Sequence, residues 1–308
     1  MKLKLSAIFL GISLAYAAVP AGAVESISIS QTGVSATSND VYVEQTGNTN
    51  SSVTITQDGT NRVGASATAT PGVQQLNNVN ASIVIHQTGV ASANVKQSGV
   101  DNSSVVVNQE GRQLLATIEQ TDSSNSLITL TQGGAHQNAN LIQEFVTDAK
   151  QRVTQVGDTN TGKVVQSSSA RVTAELSQDF GFGDALLVQQ RVTDSSLSAS
   201  QVGNSNRIFA TQAVGANLTG SVTQAGQNHL AEIKQGGSAS TATVKQTGSW
   251  NQANILQAGN NNMASITQAG TGVDVGTRNI AYIDQLGSNL AISLSQTGAA
   301  QTVSIKQR

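Results

Sequence analysis

Cysteine is absent from the 308 residues and proline occurs only twice. Without cysteine there is no disulfide framework, thiol nucleophile or thiolate metal site. Phe, Tyr and Trp together number nine, too few to anchor a large aromatic core. Charged residues make up 11% of the chain against 38% hydrophobic residues, which argues against a highly charged disordered tail. The formal net charge of −2 offers no basic footprint for nucleic acid. Beyond residue 19 no apolar run approaches membrane-spanning length. What the chain has in excess is amide and glycine: 32 Gln and 29 Gly.

The first residues read as an address. Lys2 and Lys4 precede an apolar run from Leu5 to Val19, followed by Pro20 and the small residues Ala21-Gly22-Ala23. That order predicts a secretory signal peptide over residues 1–23, cleaved at the Ala21-x-Ala23 site. Loss of the two lysines would leave 14 basic against 18 acidic residues, a formal −4, in a mature chain 24–308.

In the mature chain Gln marks a repeat. The series Gln97, Gln109, Gln120, Gln132, Gln143, Gln155, Gln166, Gln178, Gln189, Gln201, Gln212, Gln224, Gln235, Gln246, Gln257, Gln268 has fifteen intervals, all of 11 or 12 residues. Gln285, Gln296 and Gln307 continue it, and Gln31, Gln45, Gln57 and Gln87 precede it less regularly. The residue two before these 23 glutamines is Ile, Val or Leu in 21 cases, and the residue four before is apolar in 20. This is period-2 alternation, so each unit is a strand with the Gln and its −2 and −4 residues on one face. Gly follows two residues after the Gln in 16 units, among them Gly203, Gly248 and Gly259, and predicts a tight turn. An eleven-residue helical coil is rejected, because the apolar spacing is 2 and the composition disfavours helix.

The two-unit period of 22 to 23 residues predicts one coil of an all-β solenoid: strand, turn, strand, turn, stacked in the cross-β manner. About twelve coils result at two strands per coil. Two stretches break the count and predict surface insertions, near 62–80, which contains Pro71, and over 271–278. An inward Gln must pair both its donor and its acceptor. Stacked coils allow that as a ladder, each amide donating to the one above and accepting from the one below. Asn206, Asn251, Asn262 and Asn279, six before a framing Gln, share its parity and are expected to ladder likewise. The pattern starts at Ile27-x-Ile29-x-Gln31 and ends at Val303-x-Ile305-x-Gln307, so the stack is expected to present open strand edges that invite head-to-tail addition of further chains.

The residues now on the page resemble a known family. Ser-x5-Gln-x-Gly-x-x-Asn-x5-Gln is the curlin repeat; it stands at Ser195, Gln201, Gly203, Asn206, Gln212 and again at Ser240, Gln246, Gly248, Asn251, Gln257. Gln246 to Gly270 is similar to two consecutive curlin units. The resemblance implies a subunit of curli, the extracellular amyloid fibres of Gram-negative bacteria that serve adhesion, surface colonisation and biofilm matrix. It also implies self-polymerisation, a nucleating or second curlin subunit, and passage through an outer-membrane secretion pore. The chain is longer than the familiar curlins and lacks the Gly-rich segment that precedes their repeats. Its end, Ile305-Lys306-Gln307-Arg308, is similar to the basic end of the minor, nucleating subunit.

Catalytic and cofactor signatures are missing. His86, His136 and His229 have no acidic or Cys partner at ligand spacing and read as solvated. No Gly-x-Ser-x-Gly elbow or phosphate loop occurs, and no acid pair is placed for acid–base work. The expectation is a non-enzymatic protein with no cofactor, no metal, no nucleic-acid partner and no small-molecule substrate. Lys96, Lys234, Lys245 and Lys306, each one before a framing Gln, should face outward and hinder lateral association. The competing readings are a monomeric solenoid adhesin and an ice-binding module. Ice binding would need an outward Thr array, but the shared −1 position of Thr131, Thr154, Thr211, Thr223 and Thr267 is interrupted by Lys, Ser, Glu, Val and Leu.

Overall fold

A computed structural model describes residues 2–6, 25–32, 40–59, 61–63 and 72–308. Residues 7–24, with the proposed cleavage site at Ala21 and Ala23, lie outside it. The described chain is almost wholly strand, nearly all of it parallel, and divides into two compact units, Met1–Thr154 and Gln155–Arg308. Each unit is a β-solenoid whose coils contribute one strand to each of two facing sheets.

In the second unit one sheet stacks, in order, Thr173–Gly181, Ser196–Asn204, Thr219–Gln227, Thr241–Ser249, Met263–Thr271 and Ala291–Gly298. The other stacks Thr161–Ser167, Asp184–Thr193, Arg207–Ala216, Leu230–Ser238, Asn251–Ala258, Asn279–Leu286 and Thr302–Gln307. Framing glutamines pair with framing glutamines throughout: Gln178↔Gln201↔Gln224↔Gln246↔Gln268↔Gln296 in the first sheet. Consecutive glutamines of the sequence therefore alternate between sheets. The −2 and −4 residues of both sheets meet between them, and Leu187, Ile208, Ile233, Ala253 and Ile283 are all buried. Burying one such aliphatic side chain contributes roughly 1.5–3 kcal/mol, so many thin layers replace one aromatic-rich core.

The first unit repeats the plan, with one strand sometimes turning the corner into the next. Ser82–Ser98 and Ser104–Thr121 are 17 and 18 residues long and serve both sheets. Among the described residues, Lys2–Ser6 departs from parallel pairing and runs antiparallel against Asp40–Thr46.

Parts of the first expected insertion, near 62–80, are strand. Arg62–Val63 pairs with Asp40–Thr46 and Ser82–Ser98, and so does Val73–Leu76. Of the stretch 62–80, only 64–71 lies outside the described residues. Pro71 occupies the −4 position of Gln75 and hides that unit from an apolar count. In the second expected insertion, the chain makes a short 3-10 turn at Val275–Thr277, capped by Asp274, whose carboxylate accepts from the Thr277 amide at 2.9 Å. Stacking resumes in register afterwards, Asn251 opposite Asn279 and Gln257 opposite Gln285.

Candidate assembly interface

Within each unit the inward glutamines form two ladders. In the first unit they run Gln31–Gln57–Gln87–Gln109–Gln132 and Gln45–Gln75–Gln97–Gln120–Gln143. In the second they run Gln155–Gln178–Gln201–Gln224–Gln246–Gln268–Gln296 and Gln166–Gln189–Gln212–Gln235–Gln257–Gln285–Gln307. Nε2 of one residue donates to Oε1 of the next towards the C-terminus; rungs in the second unit measure 2.7 to 3.1 Å except the last, Gln285 to Gln307, at 3.4 Å. Gln75, which the spacing passes over, is a full member. Its only sequence signals are Val73 two before it and the 22-residue step to Gln97.

The second N–H of the amide has a partner that side-chain spacing does not reveal. It crosses the core to a backbone carbonyl at the start of the facing strand: Gln224 to Arg207, Gln246 to Leu230, Gln257 to Thr241, Gln268 to Gln252, each at 3.0 Å. One side chain thus ties its own coil to the next and its own sheet to the opposite one. Each hydrogen bond contributes roughly 1 kcal/mol net, and a buried amide left unpaired costs more.

The asparagines behave differently from expectation. Only Asn279 donates to the amide oxygen of its counterpart, Asn251, at 3.2 Å. Asn206 instead donates to the carbonyls of Val202 and Gly226, and its Oδ1 accepts the backbone N–H of His229 at 3.1 Å. Asn262 donates to Ala258 and Gly287 and accepts from the Leu290 amide. Asn is one methylene shorter than Gln and stands where the arc enters the strand, so its nearest polar partners are arc carbonyls and the same-slot N–H one coil on. It caps a corner and does not build a ladder. Ser195 and Ser240 do the same with a hydroxyl, accepting from the Leu218 and Asn262 amides.

His229 fills that slot too. The expectation of a solvated ring fails: His229 is buried, its Nδ1 takes the Asn251 N–H at 3.3 Å, and its Nε2 faces the Ala225 carbonyl. Acceptance at Nδ1 fixes the neutral tautomer, and burial lowers the pKa below its ordinary value.

The turn glycines separate the two kinds of arc. After Gln201 and Gln246, Gly203 and Gly248 adopt φ of 110° and 84°, and a Cβ on either would strike the carbonyl of the glycine one coil on, Gly226 or Gly270. Gly259 is similar, at φ 110° against Gly287. Several arcs after glutamines of the other sheet stay nearer the ordinary left-handed region, as at Asp122, Phe145, Ser168 and Arg191 with φ between 46° and 53°. Those arcs accept side chains, which is why glycine is not universal at this position.

This lattice of inward Gln, arc Gly and corner Asn or Ser carries the decisive comparison: the family model of the curlin associated repeat matches residues 215–248 and 237–270. Residues 215–270 carry the curlin associated repeat. No curated protein matches it significantly. The motif residues described above fall in the matched stretch. Gln224, Gln235, Gln246, Gln257 and Gln268 are rungs, Gly248 and Gly259 are arcs, and Ser240, Asn251 and Asn262 stand in the corner slot.

The last coil is exposed. Thr302–Gln307 pairs with Asn279–Leu286 and, among the described residues, with nothing on its other edge. Its core-facing Val303 and Ile305 are half-buried, whereas Ala281 and Ile283 one coil earlier are fully buried. Gln307 accepts from Gln285, but its own Nε2 donates to no described residue.

Proposed function

We propose that the chain is the structural subunit of an extracellular curli-like amyloid fibre, growing by addition of further chains to the end of the stack and serving adhesion and biofilm matrix. The observation that carries this reading is the C-terminal coil. It offers a row of backbone donors and acceptors, half-exposed Val303 and Ile305, and a Gln307 amide still able to donate. A second copy that brings a coil of the same period supplies the matching strand, apolar layer and Oε1 acceptor. Open strand edges of this kind favour pairing with another chain. The framing amides of the preceding coils already bond to one another, so the lattice extends by growth at its ends. Export through the signal peptide at residues 1–23 and an outer-membrane pore, and seeding by a nucleator or another curlin subunit, complete the reading. The role is structural and requires no catalytic step.

The test is to follow purified mature chain for cross-β fibres and then to add preformed fragments as seed. Accelerated growth on seed supports the proposal. A chain that stays monomeric and ignores seed overturns it and favours the monomeric adhesin.

A further inference from the structure

Sorting the outward residues by sheet changes their pattern. Because consecutive framing glutamines lie on opposite sheets, the interruptions seen along the sequence fall mostly on one of them. In the second unit, the six rows ending at Gln178, Gln201, Gln224, Gln246, Gln268 and Gln296 carry eighteen outward positions at −5, −3 and −1. Fourteen of these are Ser or Thr. The facing sheet, over the six rows from Gln189 to Gln307, has three. The central rows of the first sheet are Ser196, Ser198, Ser200 and Thr219, Ser221, Thr223, in register. None of the fourteen hydroxyls bonds to another described residue.

The four exceptions include two charges of opposite sign, Glu175 and Lys245. Both are exposed, and neither has an ion partner among the described residues. They stand three rows apart. On the opposite sheet, by contrast, the acids are matched: Arg207 lies 3.5 Å from Asp184, Lys306 3.2 Å from Asp284, and Lys234 contacts Glu232.

We propose that this hydroxyl face packs against the same face of a second copy, pairing two stacks side by side. A hydroxyl both donates and accepts, so a Ser/Thr sheet is complementary to itself, and its short side chains let two sheets interdigitate closely. A two-fold axis between the faces, parallel to the strands, reverses the stacking direction. It sets the Gln201 row of each copy opposite the Gln224 row of the other, and the Gln178 row opposite the Gln246 row. Glu175 then faces Thr243 of the other copy, and Lys245, two residues or about 7 Å further along that row, lies diagonally across from it within reach of the two long side chains, once on each side of the axis, as an isologous contact requires. The lone charges become the register of the interface, and Lys245 is a partner there and not the guard that its outward position suggests.

The face measures about 500 Å² per copy, from strand spacing and rise per residue. That falls short of the roughly 800 Å² per partner of a stable complex, so single chains pair weakly. Each stacked copy adds another such face, and the stacks pair firmly. In this respect the inference rests on the fibre-subunit reading.

The experiment reads lateral pairing twice: fibre width by electron microscopy, and self-association of the folded mature chain at high concentration by sedimentation. Wild type is expected as paired fibres, with weak self-association of the free chain. Lys245→Thr and Lys245→Glu should weaken association at least ~tenfold, the direction expected when a facing charge loses its complement or meets a like charge, and give single fibres. The exchange Glu175→Lys with Lys245→Glu should restore pairing. Lys163→Glu, the same charge change on the opposite sheet, should leave pairing as in wild type. Unpaired wild type in both measurements, stronger pairing in Lys245→Thr, or an exchange variant that stays single overturns the proposal. Absence of any fibre sinks the subunit reading instead, and sedimentation then decides the pairing.

Discussion

Gln246 donates its side-chain amide to Oε1 of Gln268, one coil on, at 2.9 Å. Its remaining N–H reaches the facing strand at Leu230. Stacking and sheet–sheet cohesion therefore depend on the same side chain.

Gln246→Ala and Gln257→Ala each remove two donors and one acceptor and strand neighbouring amides in the core. Each should lower folding stability by about 1–3 kcal/mol and slow fibre growth. Gln252 lies outward, where it bonds Tyr282 and Arg278 at the surface, and Gln252→Ala should cost well under that. Chemical denaturation and seeded growth rates compare the three. Equal losses would mean that the inward amides carry no special share.

Gly226 has φ of 127°, and a Cβ there would strike the Gly248 carbonyl. Gly226→Ala should destabilise the stack by roughly 1–3 kcal/mol, the scale of a strained backbone position. Arg191, at φ 53° on the other arc, should tolerate Gly without loss. Thermal unfolding of the two variants checks the difference.

The buried His229 links stability to pH. Its pKa in the fold lies below the unfolded value of about 6.5, so the unfolded chain binds the proton first. The stability tied to the neutral ring is fully present above about pH 6.5 and is lost as pH falls through the folded pKa. His229→Asn, which keeps the corner acceptor as at Asn206, should flatten this part of the pH profile. An unchanged profile between pH 7.5 and 5 would contradict the buried neutral ring.

Ile305 lies half-exposed on the last coil, with no described strand beyond it. Ile305→Lys should leave the circular dichroism of the free chain unchanged and abolish elongation at the end that exposes this coil. Growth rates on wild-type seed give the readout, and undiminished growth at both ends would remove that edge from the assembly interface.

How much of this was legible in the sequence depends on the range of the interaction. The alternation of Ile, Val or Leu with Gln, and the coil period of 22 to 23 residues, followed from side-chain geometry along one strand, and the solenoid followed from them. Gln75 escapes the local pattern because the position four before it is Pro71, yet it stacks in register between Gln45 and Gln97. The corner role of Asn206 and Asn262 was misjudged because parity says which face a side chain takes, not which polar atoms lie within its reach. His229 looked isolated because its partners, the Asn251 amide and the Ala225 carbonyl, are backbone groups.

By itself the sequence determined the strand period, the inward Gln and the curlin motif, because these are set by alternation along a single chain. Only the tertiary structure decided what each coil meets. It sent the second amide N–H of Gln246 across to Leu230, made Asn206 a corner cap, and placed Ser198 beside Ser221 on one sheet while Tyr282 and Lys306 went to the other. Those outcomes depend on which strands become neighbours, and neighbours 16 to 28 residues apart are chosen by stacking.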